Sequence, residues 1–328
     1  MKKIINNPND VVSQSLEGME RAHPELLYTP ELEVISRREK AKGKVGVISG
    51  GGSGHEPAHA GYVGKGMLSA AVAGNMFSSP SPDRIIEGLK QADAGAGVLM
   101  VIKNYSGDVM NFELAGEMAG VDDIKVEQVI VRDDVAVPDS TYSTGRRGIA
   151  GTVFVHKIAG AAAERGDSLE KVKAVAQKTC DNIRSMGMAM TPCTLPAVGK
   201  PGFELGENEI EVGMGIHGEP GVERTAVKTA KETAEVLLGK ILDDYDFTGS
   251  EVALMVNGLG GTPLMELYLL NNDVRQLLED KGVKVYKTFV GNFMTSIEMA
   301  GCSLTLLKLD DELKTLLDAP CDTPAFKV

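Results

Sequence analysis

The stretch that decides the fold is KVGVISGGGSGHEP, residues 44–57. Its first half is a short β-branched run typical of a buried strand, and four glycines follow within five positions. Glycines at a strand end allow a sharp turn and let backbone N–H groups approach a ligand closely. The residues after Pro57 predict a short helix. The glycines then lie where a strand gives way to a helix, which is where open α/β sheets bind ligands.

Strand and helix patterns alternate on both sides of this stretch. GVLMVIKN (97–104) has the length and composition of a buried parallel strand, and the following segment, GDVMNFELAGEMAG (107–120), is predicted to be a helix. Such alternation predicts a mostly parallel sheet covered on both faces. VVSQSLEGMERA (11–22) is also predicted to be an amphipathic helix. The alternation restarts after two long helical stretches, the second of which opens with Asp167 and Glu170 at capping-box spacing, and a further helix is predicted from Glu223. We therefore predict an α/β protein with two closely packed domains, residues 1–183 and 184–328, each with a mostly parallel, mixed sheet flanked by helices.

The composition excludes several classes of protein. The 328 residues are 43% hydrophobic and carry a formal charge of −12, which argues against a general nucleic-acid or anionic-membrane surface. No apolar run approaches the roughly 20 residues that span a bilayer. MKKIINNPND at the start has no apolar segment behind its lysines and is not expected to be a signal peptide. Four scattered cysteines predict reduced thiols in a cytoplasmic protein.

The glycine-rich stretch does not match the two familiar phosphate-binding motifs. No part of the chain supplies the G-x-x-x-x-G-K-[S/T] pattern of a P-loop. The dinucleotide pattern G-x-G-x-x-G, begun at Gly50, places His55 where the third glycine belongs. A tight turn without function remains an alternative, but a turn has no use for an imidazole.

Glycines surround two of the five histidines, and Glu-Pro follows both. These are His55 in GGGSGHEP and His217 in GMGIHGEPG, residues 213–221. Packing alone rarely needs a histidine in so flexible a backbone, so we favour a functional role for each. Structural roles are expected for two others: a cap or surface position for His23 and a packed helical position for His156. His59 lies four residues after His55, but the intervening proline and the lack of a further ligand pattern make a zinc site a poor interpretation.

A third candidate is Asp108, which follows the strand that ends at Lys103. Aspartate is favoured in the first turn of any helix, so a purely structural role remains open. The ends of this strand and of the strand before His55 should nevertheless meet at one sheet edge, with Lys103 balancing the carboxylate. Ser78 or Ser79 offers a further hydroxyl there, for a small polar ligand or for the following turn.

Several unusual segments in the same order along the chain carry a family resemblance. They are SGGGSGHEP, SPSPDRI, IKNYSGDVMNFE, DDVAV, GRRGIAGTV, GAAAERGDSL, GIHGEPG, TPLMELY and LLKLDDE. With them the chain resembles the dihydroxyacetone-binding subunits of bacterial dihydroxyacetone kinases of the phosphotransferase-system-dependent type, over essentially its whole length. One departure is a shorter segment near residues 241–250 than in some members.

The resemblance implies roles for individual residues. A histidine of this family adds to the ketone and holds the triose as a hemiaminal, and the matching position is His217. His55 and Asp108 match the acid/base and substrate-orienting residues. Substrate contacts are implied for Gly52, Ser79 and Lys103, and also for Asp108 and His217.

The resemblance also implies partners. This chain is expected to bind no cofactor or metal. ADP/ATP and Mg are expected on a DhaL-like nucleotide-binding kinase subunit, and a DhaM-like phosphodonor subunit is expected to rephosphorylate its ADP. It further implies a homodimer. The alternative is a non-catalytic dihydroxyacetone-binding coactivator of a transcription regulator, against which the pairing of His55 with Asp108 favours the kinase subunit. A dehydrogenase lacks a credible nicotinamide site.

Overall fold

The computed structural model describes residues 2–138 and 144–328. They form two compact units. The first contains Met1–Val131, Thr152–Asp181 and Leu313–Val328, and the second contains Arg132–Gly151 and Asn182–Glu312. The predicted division between residues 183 and 184 differs from this in two segments, because residues 132–151 join the second unit and residues 313–328 return to the first.

Specific hydrogen bonds explain why these two segments belong to a different unit from the residues next to them in the sequence. In the first unit, the buried Lys157 Nζ donates to the carbonyl of Leu316 at 2.6 Å, near the chain's C-terminal end. In the second unit, the buried Asp133 carboxylate accepts from the backbone of Ile149 and Gly151, and Asp133 O accepts from the backbone N–H of Ser185. Burying such polar groups is tolerated only where partners satisfy them, so the partners fix the segment.

The first unit contains six strands and six helices among the described residues. The strands are β1 (Leu26–Thr29), β2 (Val34–Arg37), β3 (Gly46–Ser53), β4 (Ala70–Met76), β5 (Val98–Lys103) and β6 (Val126–Val131). The helices are α1 (Val11–Ala22), α2 (Pro82–Ala92), α3 (Ser106–Ala119), α4 (Thr152–Arg165), α5 (Leu169–Asp181) and, crossing the boundary of this unit, α8 (Asp311–Asp318).

The first sheet places the glycine-rich strand in its interior. Its order is β1-β2-β4-β3-β5-β6, with parallel pairing among β4, β3, β5 and β6 and antiparallel pairing of β1 with β2 and of β2 with β4. Ser49 of β3 pairs with Val101 of β5, so both strands end at the same edge. Ile48, Met100 and Phe112 belong to the apolar core beneath it.

Among its described residues, the second unit contains the other six strands and two helices. These are β7 (Ile183–Ala189), β8 (Glu209–Val212), β9 (Glu223–Ala226), α6 (Ala230–Asp244), β10 (Glu251–Gly258), α7 (Leu264–Asp280), β11 (Lys284–Gly291) and β12 (Gly301–Leu309).

The prediction of two α/β domains with mixed sheets flanked by helices is confirmed, with a correction to the second sheet. Its order is β11-β10-β12-β7-β8-β9, and only β10 and β11 pair in parallel. Helix α7 connects these two strands, and a parallel pair needs such a crossover. No helix lies between β7 and β8 or between β8 and β9, so these neighbours run antiparallel.

One predicted helix begins later than expected, and another is replaced by a short turn. A helix was predicted from Glu223, but residues 223–226 form β9 and α6 begins after Thr229. The side chain of Thr229 accepts from Glu232 N while Glu232 accepts from Thr229 N, and this reciprocal capping box fixes the helix start. After Pro57 only a short 3₁₀ turn forms, at Ala60–Tyr62.

Most of the other helices lie where their patterns predicted. Helix α1 spans the predicted VVSQSLEGMERA segment, and α3 covers nearly all of the predicted 107–120 stretch. Helix α5 follows Ser168, whose side chain accepts from Lys171 N at 3.4 Å, rather than the predicted Asp167–Glu170 capping box. No helix in residues 2–138 or 144–328 is both long enough and apolar enough to cross a membrane.

Candidate functional site

The centre of the site in the first unit is a buried ion pair between Lys103 and Asp108. Lys103 is the last residue of β5, and Asp108 lies in the first turn of α3. The Nζ and Oδ2 atoms are 3.6 Å apart, and the two side chains are 0% and 5% exposed. Burial lowers the pKa of the Lys103 ammonium, and the Asp108 carboxylate offsets part of that effect. The strand end and the helix start thus bring together two groups that the sequence predicted to meet.

The glycines of β3 leave the space that this ion pair fills. A Cβ atom on Gly51 would lie 2.4 Å from Lys103 Nζ and 3.2 Å from Asp108 Oδ2, and the residue has φ +150. A Cβ atom on Gly52 would lie 2.5 Å from the backbone nitrogen of Ser78. Glycine is therefore required at both positions for steric reasons, one against the ion pair and one against the neighbouring turn.

Ser79 lies in that turn, beside the start of α3. A Cβ atom on Gly107 would lie 3.4 Å from the Ser79 Cβ, and Asn111 Nδ2 of α3 donates to the carbonyl of Pro80 at 2.9 Å. The structure therefore brings Gly52, Ser79, Lys103 and Asp108 to one edge of the first sheet, as the sequence predicted.

His55 follows the glycines and is fully buried. Its ring stacks on that of Phe77, with centroids 5.2 Å apart and planes 13° from parallel. The next residue, Glu56, accepts a hydrogen bond from Gly54 N at 3.1 Å, and burial raises the pKa of its carboxyl. This stacked contact helps to fix the orientation of the imidazole.

Two buried histidines that sequence reasoning did not assign to the site extend the ion pair. His59 Nε2 lies 2.9 Å from Lys103 Nζ, and His59 Nδ1 lies 3.0 Å from Nε2 of His156 in α4. Both ring nitrogens of His59 are therefore engaged by protein groups. His156 is buried, as predicted, but its contact with His59 was missed. The only signal was the H-x-x-x-H spacing, which drew attention to His55 and not to His156.

His217 belongs to the second unit, in the loop between β8 and β9. Its Nδ1 lies 2.9 Å from Glu219 Oε1, and its backbone N–H donates to Glu219 Oε2 at 3.0 Å. Burial alone would raise the pKa of the Glu219 carboxyl, but His217 and Arg147 bring it below its usual value. An anionic carboxylate can only accept, so Nδ1 carries the hydrogen of this contact, and in a neutral ring the lone pair lies on Nε2. The repeated His–Glu–Pro pattern was the available signal for Glu219.

A second buried ion pair supports this loop. Arg147 donates to the Asp134 carboxylate at 2.7 and 2.8 Å and to the carbonyl of Gly213 at 2.7 Å. Burial raises the pKa of Asp134 to about 6, although Arg147 lowers it. A Cβ atom on Gly215 would lie 2.0 Å from Glu219 Oε2, so this position also needs glycine. The DDVAV and GRRGIAGTV segments contain this pair, but the sequence did not predict its contact with the loop.

The described residues offer no group of three or more histidine, cysteine, aspartate or glutamate side chains that could hold a metal ion. Cys193, Cys302 and Cys321 are buried, and Cys180 is partly exposed. In the second unit, the His217 imidazole suits addition to a carbonyl. In the first unit, the Asp108 carboxylate beside Lys103 suits removal of a hydroxyl proton.

The sequence profile of the Dak1 domain matches residues 17–325. The chain belongs to the Dak1 family. A relative of this Dak1 chain in Listeria innocua serovar 6a is named PTS-dependent dihydroxyacetone kinase 1, dihydroxyacetone-binding subunit DhaK. It is 56% identical over 99% of this chain and 100% of its own length. The family resemblance predicted from the motifs is therefore confirmed.

Solved structures give the same fold for the Dak1 chain. The dihydroxyacetone kinase of C. freundii superposes with a TM-score of 0.92 and 36% identity, over 99% of this chain and 60% of that longer one. A dihydroxyacetone kinase operon co-activator, Dha-DhaQ, superposes with a TM-score of 0.91 and 38% identity, over 95% of this chain and 97% of its own. Kinases and a co-activator thus share the architecture.

Proposed function

We propose that this chain is the dihydroxyacetone-binding subunit of a dihydroxyacetone kinase. The observation that carries the proposal is the hydrogen bond from His217 to Glu219, which leaves the lone pair of the imidazole on Nε2. The Listeria relative is similar over nearly the whole chain, and its name supports dihydroxyacetone as the substrate. The scattered spacing of the four cysteines supports a cytoplasmic location.

His217 would bind dihydroxyacetone by adding to its ketone. The Nε2 lone pair forms a bond to C2, and the π electrons of the carbonyl move to its oxygen. That oxygen takes a proton from solvent to give a hemiaminal, and the ring gives up its Nδ1 hydrogen, so the number of protons is conserved. Positive charge develops on the ring, and Glu219 is in contact with Nδ1 to take up its hydrogen. Glycerol has no carbonyl and cannot react in this way, so the covalent step supplies a discrimination that hydrogen bonds to a small uncharged triose would not.

Asp108 would act as the general base for phosphoryl transfer. A terminal hydroxyl of the bound triose attacks the phosphoryl group, and the Asp108 carboxylate accepts the hydroxyl proton. Lys103 offsets the charge of that carboxylate, and the cleared backbone at Gly52 and the hydroxyl of Ser79 would contact the triose. We assign His55 to orienting the substrate and to proton exchange with it.

The phosphoryl donor would come from a separate subunit. Phosphoryl transfer needs Mg²⁺ and groups that hold the nucleotide, and the sequence of this chain supplies no P-loop. We therefore place ADP/ATP and Mg on a DhaL-like kinase subunit, recharged by a DhaM-like phosphodonor, with this chain acting as a homodimer. The product is dihydroxyacetone phosphate.

A second candidate function is supported by the close superposition on the Dha-DhaQ co-activator. In that case the chain would bind dihydroxyacetone and contact a transcription regulator without transferring phosphate. The Lys103–Asp108 ion pair favours the kinase subunit, because sensing a triose does not require a base for its hydroxyl.

Reconstitution tests the proposal. The purified chain is mixed with candidate nucleotide-bearing subunits, their phosphodonor system and dihydroxyacetone, and dihydroxyacetone phosphate is measured. We expect product with a cognate subunit and none from this chain with ATP and Mg²⁺ alone. Steady ATP-dependent turnover by the rigorously purified single chain would overturn the assignment of the nucleotide to a partner.

A crystal soak tests the covalent step. Crystals of the wild type soaked in dihydroxyacetone should give continuous density between the ligand C2 and His217 Nε2, and crystals of His217→Ala should not. Density joining C2 to any other residue would refute the assignment of His217.

A further inference from the structure

We infer that His59 and His156 are positioning residues that keep the Lys103 ammonium group next to Asp108. They do so through a series of hydrogen bonds in which Lys103 donates to His59 and His59 donates to His156. The inference concerns how the active carboxylate is arranged and rests on the proposed function for its kinetic consequence. All four groups belong to the first unit.

The first step is the environment of the lysine. Lys103 Nζ is fully buried and lies 2.9 Å from His59 Nε2, 3.2 Å from the carbonyl of Gly50 and 3.6 Å from Asp108 Oδ2. A lysine ammonium has three N–H donors and no acceptor. The carbonyl and the imidazole lie at hydrogen-bond distance and can each accept one hydrogen, and the carboxylate lies at ion-pair distance. This arrangement matches a charged ammonium.

The second step is the tautomer of each histidine. Because the ammonium only donates, His59 Nε2 must accept, and the hydrogen of the neutral ring lies on Nδ1. His59 Nδ1 then donates across 3.0 Å to His156 Nε2, which leaves the hydrogen of His156 on Nδ1. That Nδ1 has no hydrogen-bond partner among the described residues. His59 therefore decides which nitrogen of His156 carries the hydrogen.

Charge and burial keep both rings neutral. Burial, then the charge of Lys103, lowers the pKa of His156 to about 3. Burial also pushes the pKa of His59 well below its usual value, with Lys103, His156 and His55 acting in the same direction. The titratable groups that face the network also include Asp108 beside the lysine and the buried Tyr62, whose ring centroid lies 6.1 Å from that of His156. A protonated His59 would direct a hydrogen at the ammonium, which this geometry forbids.

The third step concerns the helix that fixes one end of this series of hydrogen bonds. His156 lies in α4, where twelve consecutive residues from Thr152 to Ala163 are buried. The position of the ammonium is thus tied through His59 to a buried helix. If His156 could not accept, His59 could adopt the other tautomer and turn an N–H toward Lys103, which would push the ammonium away from Asp108.

Stability does not account for these groups. A buried lysine and two buried imidazoles cost desolvation, and apolar residues of similar size often serve the fold as well or better. A network of this kind is instead suited to fixing one charge in one place. That is what a general base needs from a neighbouring cation.

The tautomers can be measured without any assay of activity. Protein labelled with ¹⁵N-histidine gives separate signals for protonated and unprotonated ring nitrogens, and the signals are assigned with His59→Gln and His156→Gln variants. At neutral pH we expect Nδ1–H with an unprotonated Nε2 in both His59 and His156. An Nε2–H tautomer in either ring, or averaging of the two forms, would overturn the inference even if the kinase assignment holds.

Kinetics with the reconstituted system test the positioning role. His156→Gln places an amide oxygen near the position of Nε2 and keeps an acceptor for His59, whereas His156→Leu removes it. We expect kcat to fall about 10- to 100-fold in His156→Leu, as for loss of a hydrogen bond to a charged group, with KM for dihydroxyacetone changed by no more than about threefold. His156→Gln should recover kcat to within about threefold of wild type.

Two kinetic results would contradict the role. One is a kcat of His156→Leu within twofold of wild type, and the other is an equal loss in both variants. If His156→Leu fails to fold, His156→Gln and the wild-type tautomers still decide. If the wild type produces no dihydroxyacetone phosphate with any subunit, the proposed function fails, while the NMR result stands by itself.

Discussion

The carboxylate of Glu219 contacts His217 twice, through Nδ1 at 2.9 Å and through the backbone N–H at 3.0 Å. One side chain thereby sets both the tautomer of the imidazole and the shape of the loop that carries it. The charge of Arg147 favours the ionised form of that carboxylate, and the absence of a side chain at Gly215 leaves room for it. Glu219 is thus the positioning partner of the proposed nucleophile.

Replacing Glu219 by glutamine should weaken covalent binding of dihydroxyacetone by about 10- to 100-fold, the range for losing a hydrogen bond to a charged group. Glutamine retains an oxygen but loses the negative charge that stabilises the ring as it reacts. Equilibrium dialysis with labelled dihydroxyacetone measures the effect. Glu207→Gln, at an exposed position of the same unit, is the control and should bind as wild type. Equal affinities for all three proteins would show that the charge of Glu219 plays no part.

The Asp108→Asn variant should bind dihydroxyacetone nearly as well as wild type, while turnover with the kinase subunit falls about 10²- to 10⁴-fold, as for a lost general base. Asparagine keeps the size of the side chain but cannot accept the proton. The matched control is Asp311→Asn, which changes an exposed aspartate in the first turn of α8. Turnover of Asp108→Asn within a few-fold of wild type would leave Asp108 with only the structural role that a helix start explains.

The Gly51→Ala substitution should destabilise the fold by roughly 1–3 kcal/mol, because its Cβ atom would lie 2.4 Å from Lys103 Nζ and force the ion pair to move. Gly18→Ala provides the opposite case. Gly18 lies in α1 with no atom within 4 Å of the added Cβ, so alanine should stabilise by about 0.5–1 kcal/mol. Urea unfolding of both variants gives the comparison. A neutral or stabilising Gly51→Ala would mean that the ion pair does not occupy this space.

The pH dependence of stability should reveal the buried histidines. The pKa of His156 is about 3 in the folded chain and near 6.5 when unfolded, so between these values only the unfolded state binds the proton. The stabilising contribution is fully present above about pH 6.5 and is lost as the pH falls. His156→Gln should therefore reduce the slope of unfolding free energy against pH by about 1.4 kcal/mol per pH unit.

The measurement is urea unfolding of wild type and variant at about pH 5, 5.5 and 6, within the window set by these pKa values. The difference between the two slopes is the relevant quantity, because the raised pKa of Asp134 acts in the opposite direction and is common to both proteins. Parallel slopes would mean that His156 is protonated in the folded chain.

Local sequence patterns predicted much of the fold and the site. The apolar run before Gly50 and the alternation of strand and helix patterns after it indicated an α/β protein. Such periodicities can be recognised because each depends on the spacing of apolar residues within a short local segment. The positions of Lys103 and Asp108 followed from the rule that parallel strands end at one edge. The capping box at Thr229 was overlooked, which placed the start of α6 too early.

The sequence by itself determined the elements and the reactive residue types: the glycine-rich end of β3, the aspartate at the start of α3, and histidines followed by Glu-Pro. Only the tertiary structure decided which groups meet. His59 and His156 are separated by 97 positions along the chain, and no local pattern connects them. Likewise, the antiparallel order of the second sheet and the return of residues 313–328 to the first unit depend on long-range pairing. Such contacts form because buried polar groups and strand edges must find partners wherever in the sequence those lie.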